Sequence, residues 1–127
     1  MALIMVADDD PAFLALITEH LKSRGHQVVT VEDGVSAAEK AQDWKPHLIL
    51  MDIMMPGVYG TSAYKSLESS GITRKTPVIF VTAVAVEKAT KVVPEGPMTR
   101  LLLKPVDLQA LDRLIGELLE GEGKPSA

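Results

Sequence analysis

The chain has 127 residues, 46% apolar and 24% charged, with a net charge of −4. That suits one soluble domain with a single core, and it excludes a membrane span, since no apolar run approaches the ~18 residues required. The basic residues are scattered, which argues against a nucleic-acid surface, and the absence of cysteine excludes disulfides and thiolate chemistry and suits a reducing cytoplasm.

Leu3-Ile4-Met5-Val6-Ala7 reads as a buried strand. It runs into Asp8-Asp9-Asp10-Pro11, where Asp10 is a natural N-cap and Pro11 a natural first helical residue. Phe13, Leu16, Ile17 and Leu21 recur at helical spacing up to a stop at Gly25. Gln27–Val31 is a β-rich stretch, Glu32-Asp33-Gly34 turns the chain, and Val35–Trp44 is an alanine-rich helix ended by Lys45-Pro46. His47–Met51 is a second continuous apolar strand, followed at once by Asp52. Pro56 and Gly57 keep that strand from continuing.

Ala63, Tyr64 and Leu67 mark a helix ending near Gly71. Pro77–Val81 is a further strand, closed by Thr82-Ala83. Ala85–Val93 permits a short helix that Pro94, Gly96 and Pro97 forbid extending. Leu101–Leu103 is the fifth strand, before Lys104-Pro105. Asp107 caps a last helix with Leu108, Leu111, Leu114, Ile115 and Leu118 on one face. The domain is assigned to residues 1–120, and 121–127 to a flexible tail. Apolar strands without polar alternation, separated by helices, make this an α/β protein: a doubly wound parallel sheet covered on both faces.

Asp8, Asp9, Asp52, Thr82 and Lys104 all end apolar strands. Taken singly, each has a plain explanation: acids cap helices, a threonine ends a strand, a lysine is solvated before a turn. Taken together they fall on the one sheet edge where such folds place their ligands. Clustered carboxylates there call for a cation to relieve their repulsion. His20, His26 and His47 lack metal-ligand spacing and read as structural or solvated. Trp44 and the methionines read as core or rim filler.

These residues resemble the receiver domain of bacterial two-component response regulators. Asp8-Asp9 is similar to that family's metal-binding pair, and Leu48-Ile49-Leu50-Met51-Asp52-Ile53-Met54-Met55-Pro56-Gly57 to its phosphoacceptor segment. Val81-Thr82-Ala83 is similar to its hydroxyl position, and Leu103-Lys104-Pro105 to its lysine. The resemblance implies a flavodoxin-like five-stranded sheet of order 2-1-3-4-5 and a cis Lys104–Pro105 bond.

It further implies that Asp52 accepts a phosphoryl group from a sensor histidine kinase or a histidine phosphotransfer protein. Mg2+ is then held directly by Asp9, Asp52 and the Met54 carbonyl and by Asp8 largely through water, with Lys104 pairing the phosphoryl oxygens and Thr82 bonding one after transfer. Such a protein signals to a downstream partner and is not a turnover enzyme. A phosphatase using Asp52 as nucleophile commonly needs a second acid two residues on, where Met54 stands. A flavin-binding relative needs a phosphate loop after the first strand, which is lacking.

Three departures from the family pattern bear on output. Leu101 stands where an aromatic is usual, Pro94–Pro97 interrupts the fourth helix, and Tyr59 replaces an Asp or Asn. Leu101 and Pro94–Pro97 favour, as the alternative, a receiver-fold interaction module with atypical or phosphorylation-independent output, against which the intact Asp8, Asp9, Asp52, Thr82 and Lys104 argue.

Overall fold

Strand β1, Leu3–Ala7, is the second strand of a fully parallel sheet, and the sheet's order follows from what flanks it. On one side lies β2, Gln27–Val31, in register Leu3↔Gln27 through Ala7↔Val31. On the other lies β3, Leu48–Asp52. Two further strands, here numbered β6 (Val78–Thr82) and β7 (Thr99–Leu103), complete the order β2-β1-β3-β6-β7. This is the expected 2-1-3-4-5 arrangement. The computed structural model describes residues 2–52, 54–55, 58–59, 65, 69, 71, 76–83 and 98–123, excepting the side chains of 34, 35, 38, 54, 55, 58, 59 and 120–123.

Helices α1 (Pro11–Ser23), α2 (Gly34–Trp44) and α3 (Leu108–Gly123) cover the two faces. Side chains alternate across a strand, so each central strand feeds two cores. Ile4, Val6, Leu48, Leu50, Ile79 and Val81 pack with Leu14, Ile17 and Leu21 of α1 and with Leu111, Ile115 and Leu118 of α3. Met5, Ala7, Ile49, Met51, Val78 and Phe80 face the other way, toward Ala37 and Ala41 of α2. That two-sided burial is why the strands read as unbroken apolar runs. Burying each large aliphatic contributes about 1.5–3 kcal/mol relative to exposure.

Aspartates start these helices, Asp10 and Asp107 as predicted and Asp33 where only a turn was expected. Asp10 accepts the Ala12 N–H at 3.0 Å with Pro11 at the first position, and Asp33 accepts the Ser36 N–H at 2.7 Å. Asp107 accepts from Gln109 and Ala110 at 2.9 and 3.3 Å. Gly25 has φ +89, the left-handed turn that ends α1. Lys45 adopts the same left-handed region, φ 50, to end α2 before Pro46.

Four details differ from expectation. Leu16 does not join the apolar face of α1 but is exposed, because it lies about 200° around the helix from the buried Leu14. Several strand limits shift by a residue or two, Asp52 and Thr82 being the last residues of β3 and β6 rather than lying beyond them. Helix α3 runs on to Gly123, past the assigned tail start, since glycine weakens a helix by only about 1 kcal/mol and ends it only in a left-handed turn. Past the end of β3, β4 (Met54–Met55) pairs antiparallel with β5 (Val58–Tyr59), a hairpin without a sequence signal because two-residue strands are too short to show a period.

Lys65 and Ser69 are helical and Gly71 has φ +86, in keeping with a helix stopped there. The expected segment Ala85–Val93 and the Pro94–Pro97 interruption lie outside the described residues, as do residues 124–127 of the assigned tail. Among the described residues, no helix is long and apolar enough to cross a membrane. The Lys104–Pro105 bond is cis.

Candidate functional site

The C-terminal ends of the parallel strands form one rim, and registers fix who stands there. Ala7 pairs with Met51, Asp52 with Val81, and Thr82 with Leu103. Backbone bonds carry the ladders one residue further. The Asp8 N–H donates to the Val31 carbonyl at 3.0 Å, and the Lys104 N–H to the Thr82 carbonyl at 2.8 Å. Asp8 and Lys104 are therefore held by main chain, and their side chains project from fixed points.

One carboxylate oxygen of Asp8, Oδ1, accepts the Asp10 N–H at 2.9 Å. The other, Oδ2, accepts from Lys104 Nζ at 2.7 Å, and Nζ also reaches Asp52 Oδ2 at 3.3 Å. Asp8 is 1% exposed and Asp52 7%, while Asp9 is exposed. Carboxylate oxygens of Asp8, Asp9 and Asp52 all lie within 4.8 Å of one another. Three carboxylates facing one ammonium leave an excess of formal negative charge, and an all-oxygen donor set matches a hard cation such as Mg2+.

Burial alone disfavours the charged form of Lys104. The hydrogen bond to Asp8, with the negative charges of Asp52 and Asp8, outweighs it and raises the lysine above its ordinary value. Lys104 therefore remains an ammonium throughout the neutral range. Its Nζ also stands 4.4 Å from the centroid of the Phe13 ring.

Of the residues predicted for the site, Asp8, Asp9, Asp52 and Lys104 converge. Thr82 is fully buried at the end of β6, one residue beyond the partner of Asp52. Met54 lies in β4, just past β3, with its side chain outside the described residues. Phe13 escaped the sequence reading. Its helical spacing marked it as core, and nothing local showed that a lysine 91 positions on, at 104, would meet its ring.

The histidines do form contacts. His26 Nδ1 accepts the Ala2 N–H at 3.2 Å and His47 Nδ1 the Leu3 N–H at 2.9 Å, both at the opposite end of the sheet. His20 Nε2 lies 2.8 Å from Asp112 Oδ1, which with Arg24 Nε at 3.2 Å from Oδ2 ties α1 to α3.

A parallel doubly wound sheet with an acid cluster and a lysine on its C-terminal rim defines a class of switch-point α/β proteins. The chain belongs to the response regulator receiver domain family, whose model matches residues 4–116. It is 38% identical over 122 residues to protein PilH of Pseudomonas aeruginosa, covering 95% of this chain and 100% of that one. It is 33% identical over 120 residues to the signal transduction histidine-protein kinase BarA of Escherichia coli, covering 94% of this chain but only 13% of the kinase. Among solved structures, the receiver domain of sensor histidine kinase PA1611 from Pseudomonas aeruginosa superposes with a TM-score of 0.85 at 28% identity. The match covers 93% of this chain and 97% of that domain, which has a magnesium ion coordinated in its active-site cleft. The protein is thus a receiver module of phosphorylation-based signalling.

Proposed function

We propose that Asp52 is the phosphoacceptor of this receiver and that a phosphohistidine on a sensor histidine kinase or phosphotransfer protein is the donor. The observation that carries this is the Asp8–Asp9–Asp52 cluster with Lys104 Nζ bridging two of its members. In the transfer, a carboxylate oxygen of Asp52 forms a bond to phosphorus as the phosphorus–nitrogen bond to the imidazole breaks. The product is an acyl phosphate. This chemistry asks mainly for positioning and charge neutralisation.

Asp8, Asp9, Asp52 and the Met54 carbonyl would hold Mg2+, in keeping with the magnesium in the PA1611 receiver. When bound, the ion neutralises phosphoryl oxygens. Lys104 leaves its carboxylates to pair with a phosphoryl oxygen, and Thr82 donates its hydroxyl to another. The phosphorylated form then changes its affinity for a downstream protein, and the proposed compartment is the cytoplasm. The module is not a turnover enzyme on external substrates.

Incubation with Mg2+ and acetyl phosphate, followed by intact mass measurement, tests this. One added phosphoryl group is expected, lost in Asp52→Asn and in excess chelator. An adduct that persists in Asp52→Asn removes the assignment. A second reading, output independent of phosphorylation, is favoured by Leu101, which packs against the Phe80 core in place of the usual aromatic. It predicts partner affinity unchanged by phosphorylation.

A further inference from the structure

We infer that the face of the Phe13 ring is a positioning surface for the Lys104 ammonium, keeping it over the site when the carboxylates are taken up elsewhere. This rests on the proposed role of Lys104 toward the phosphoryl oxygens. The 4.4 Å separation is well inside the range of about 6 Å over which a ring face attracts a cation. The ring is not free to drift: Phe13 is half-buried and packs against the core that contains Leu14, Ile17, Val81 and Leu111. It belongs to the first turn of α1, whose start is fixed by the Asp10 cap, two residues after Asp8, and by Pro11.

The carboxylates that hold Nζ are the ones a divalent cation would draw. Asp8 Oδ2 and Asp52 Oδ2 lie 2.7 and 3.3 Å from Nζ, and both residues belong to the cluster that fits a metal. Each oxygen committed to a cation weakens the grip on the ammonium, and the four-carbon stem of a lysine is otherwise flexible. A phenyl ring offers no oxygen donor and no formal charge, so it does not ligate the cation as a carboxylate does. Its attraction for the ammonium persists through the exchange. The ring narrows the positions Lys104 samples before a phosphoryl oxygen arrives.

Phe13→Leu keeps an apolar side chain and removes the ring face; Phe13→Tyr keeps the face. At saturating Mg2+, the rate of phosphorylation by acetyl phosphate is expected to fall roughly two- to tenfold in Phe13→Leu and to stay within about twofold of wild type in Phe13→Tyr. Proton NMR of the unphosphorylated protein reads the contact separately. The ε-methylene protons of Lys104 should be shifted upfield by the ring current in wild type and Phe13→Tyr, and not in Phe13→Leu. Phe13→Met serves in place of Phe13→Leu if the latter melts early. A lost shift with an unchanged rate overturns the inference, as does an equal loss of rate in the Leu and Tyr variants, which would trace to packing alone. A wild-type rate in Lys104→Ala overturns the role of Lys104 itself, and is separable because the wild-type ring-current shift would remain.

Discussion

Lys104 is an ammonium contested by Asp8, Asp52 and the ring of Phe13. Removing it takes away the positive charge that two buried carboxylates share, a costlier state than the intact cluster. Lys104→Gln should therefore lower stability, by about 2 kcal/mol in metal-free buffer. Added Mg2+ should restore more stability to the variant than it adds to wild type, because it then supplies the missing positive charge. Thermal melts in chelator and in excess Mg2+ check this; equal metal-induced shifts in the two proteins would show that Lys104 and the cation do not share these oxygens. The acids and the lysine were legible in the sequence because each directly ends an apolar run. Phe13 was not, because a cation–ring contact leaves no mark on helical periodicity.

At the scale of elements, local chemistry sets where helices begin and long-range contacts set how strands are pinned. Asp33 holds the Ser36 N–H at 2.7 Å and the Ser36 hydroxyl at 3.2 Å. Asp33→Ala should cost about 1 kcal/mol, read as a lower urea midpoint with an unchanged slope. A midpoint equal to wild type would show that the cap contributes nothing. The start of β1 depends instead on His26 and His47, whose ring nitrogens accept from Ala2 and Leu3, 24 and 44 positions away. No spacing rule reveals such a partner, which is why these histidines read only as structural or solvated.

Burial and the positive amino terminus lower the pKa of His26 from 6.5, only partly opposed by Asp112. The unfolded chain then binds the proton more readily than the folded one. This contribution to stability is full above about pH 6.5 and is lost as pH falls through the lower folded value. His26→Asn offers an oxygen acceptor that does not titrate. Between pH 7.5 and 5.5 its urea midpoint should fall less than that of wild type; parallel pH profiles would assign the loss to other groups.

Over the whole molecule, the two cores and the rim divide the work. Strands buried on both faces made the parallel α/β architecture legible, since Ile4 to Ala7 and Leu48 to Met51 leave no polar face to solvent. The β4–β5 hairpin was hidden by its brevity. The rim meets the sheet's edge strand, β7, where the Lys104 N–H donates to the Thr82 carbonyl. Leu101 pairs with Phe80 and packs on the α2-side core, half-buried, where a tyrosine could exchange between a core and a solvated position. A leucine has no polar tip to gain from that exchange, so the response to phosphorylation is expected to shift populations near Thr82 without a rotamer change at 101. Hydrogen exchange with and without beryllofluoride, a stable mimic of the phosphoryl group, reads this directly. Protection changes should concentrate in residues 82–100 of wild type. In Leu101→Tyr they should be of similar size, because the wild-type route does not use that side chain. A much larger response in the tyrosine variant would mean that the aromatic route is only weakened here, and changes confined to other parts of the chain would move the output surface away from β6 and β7.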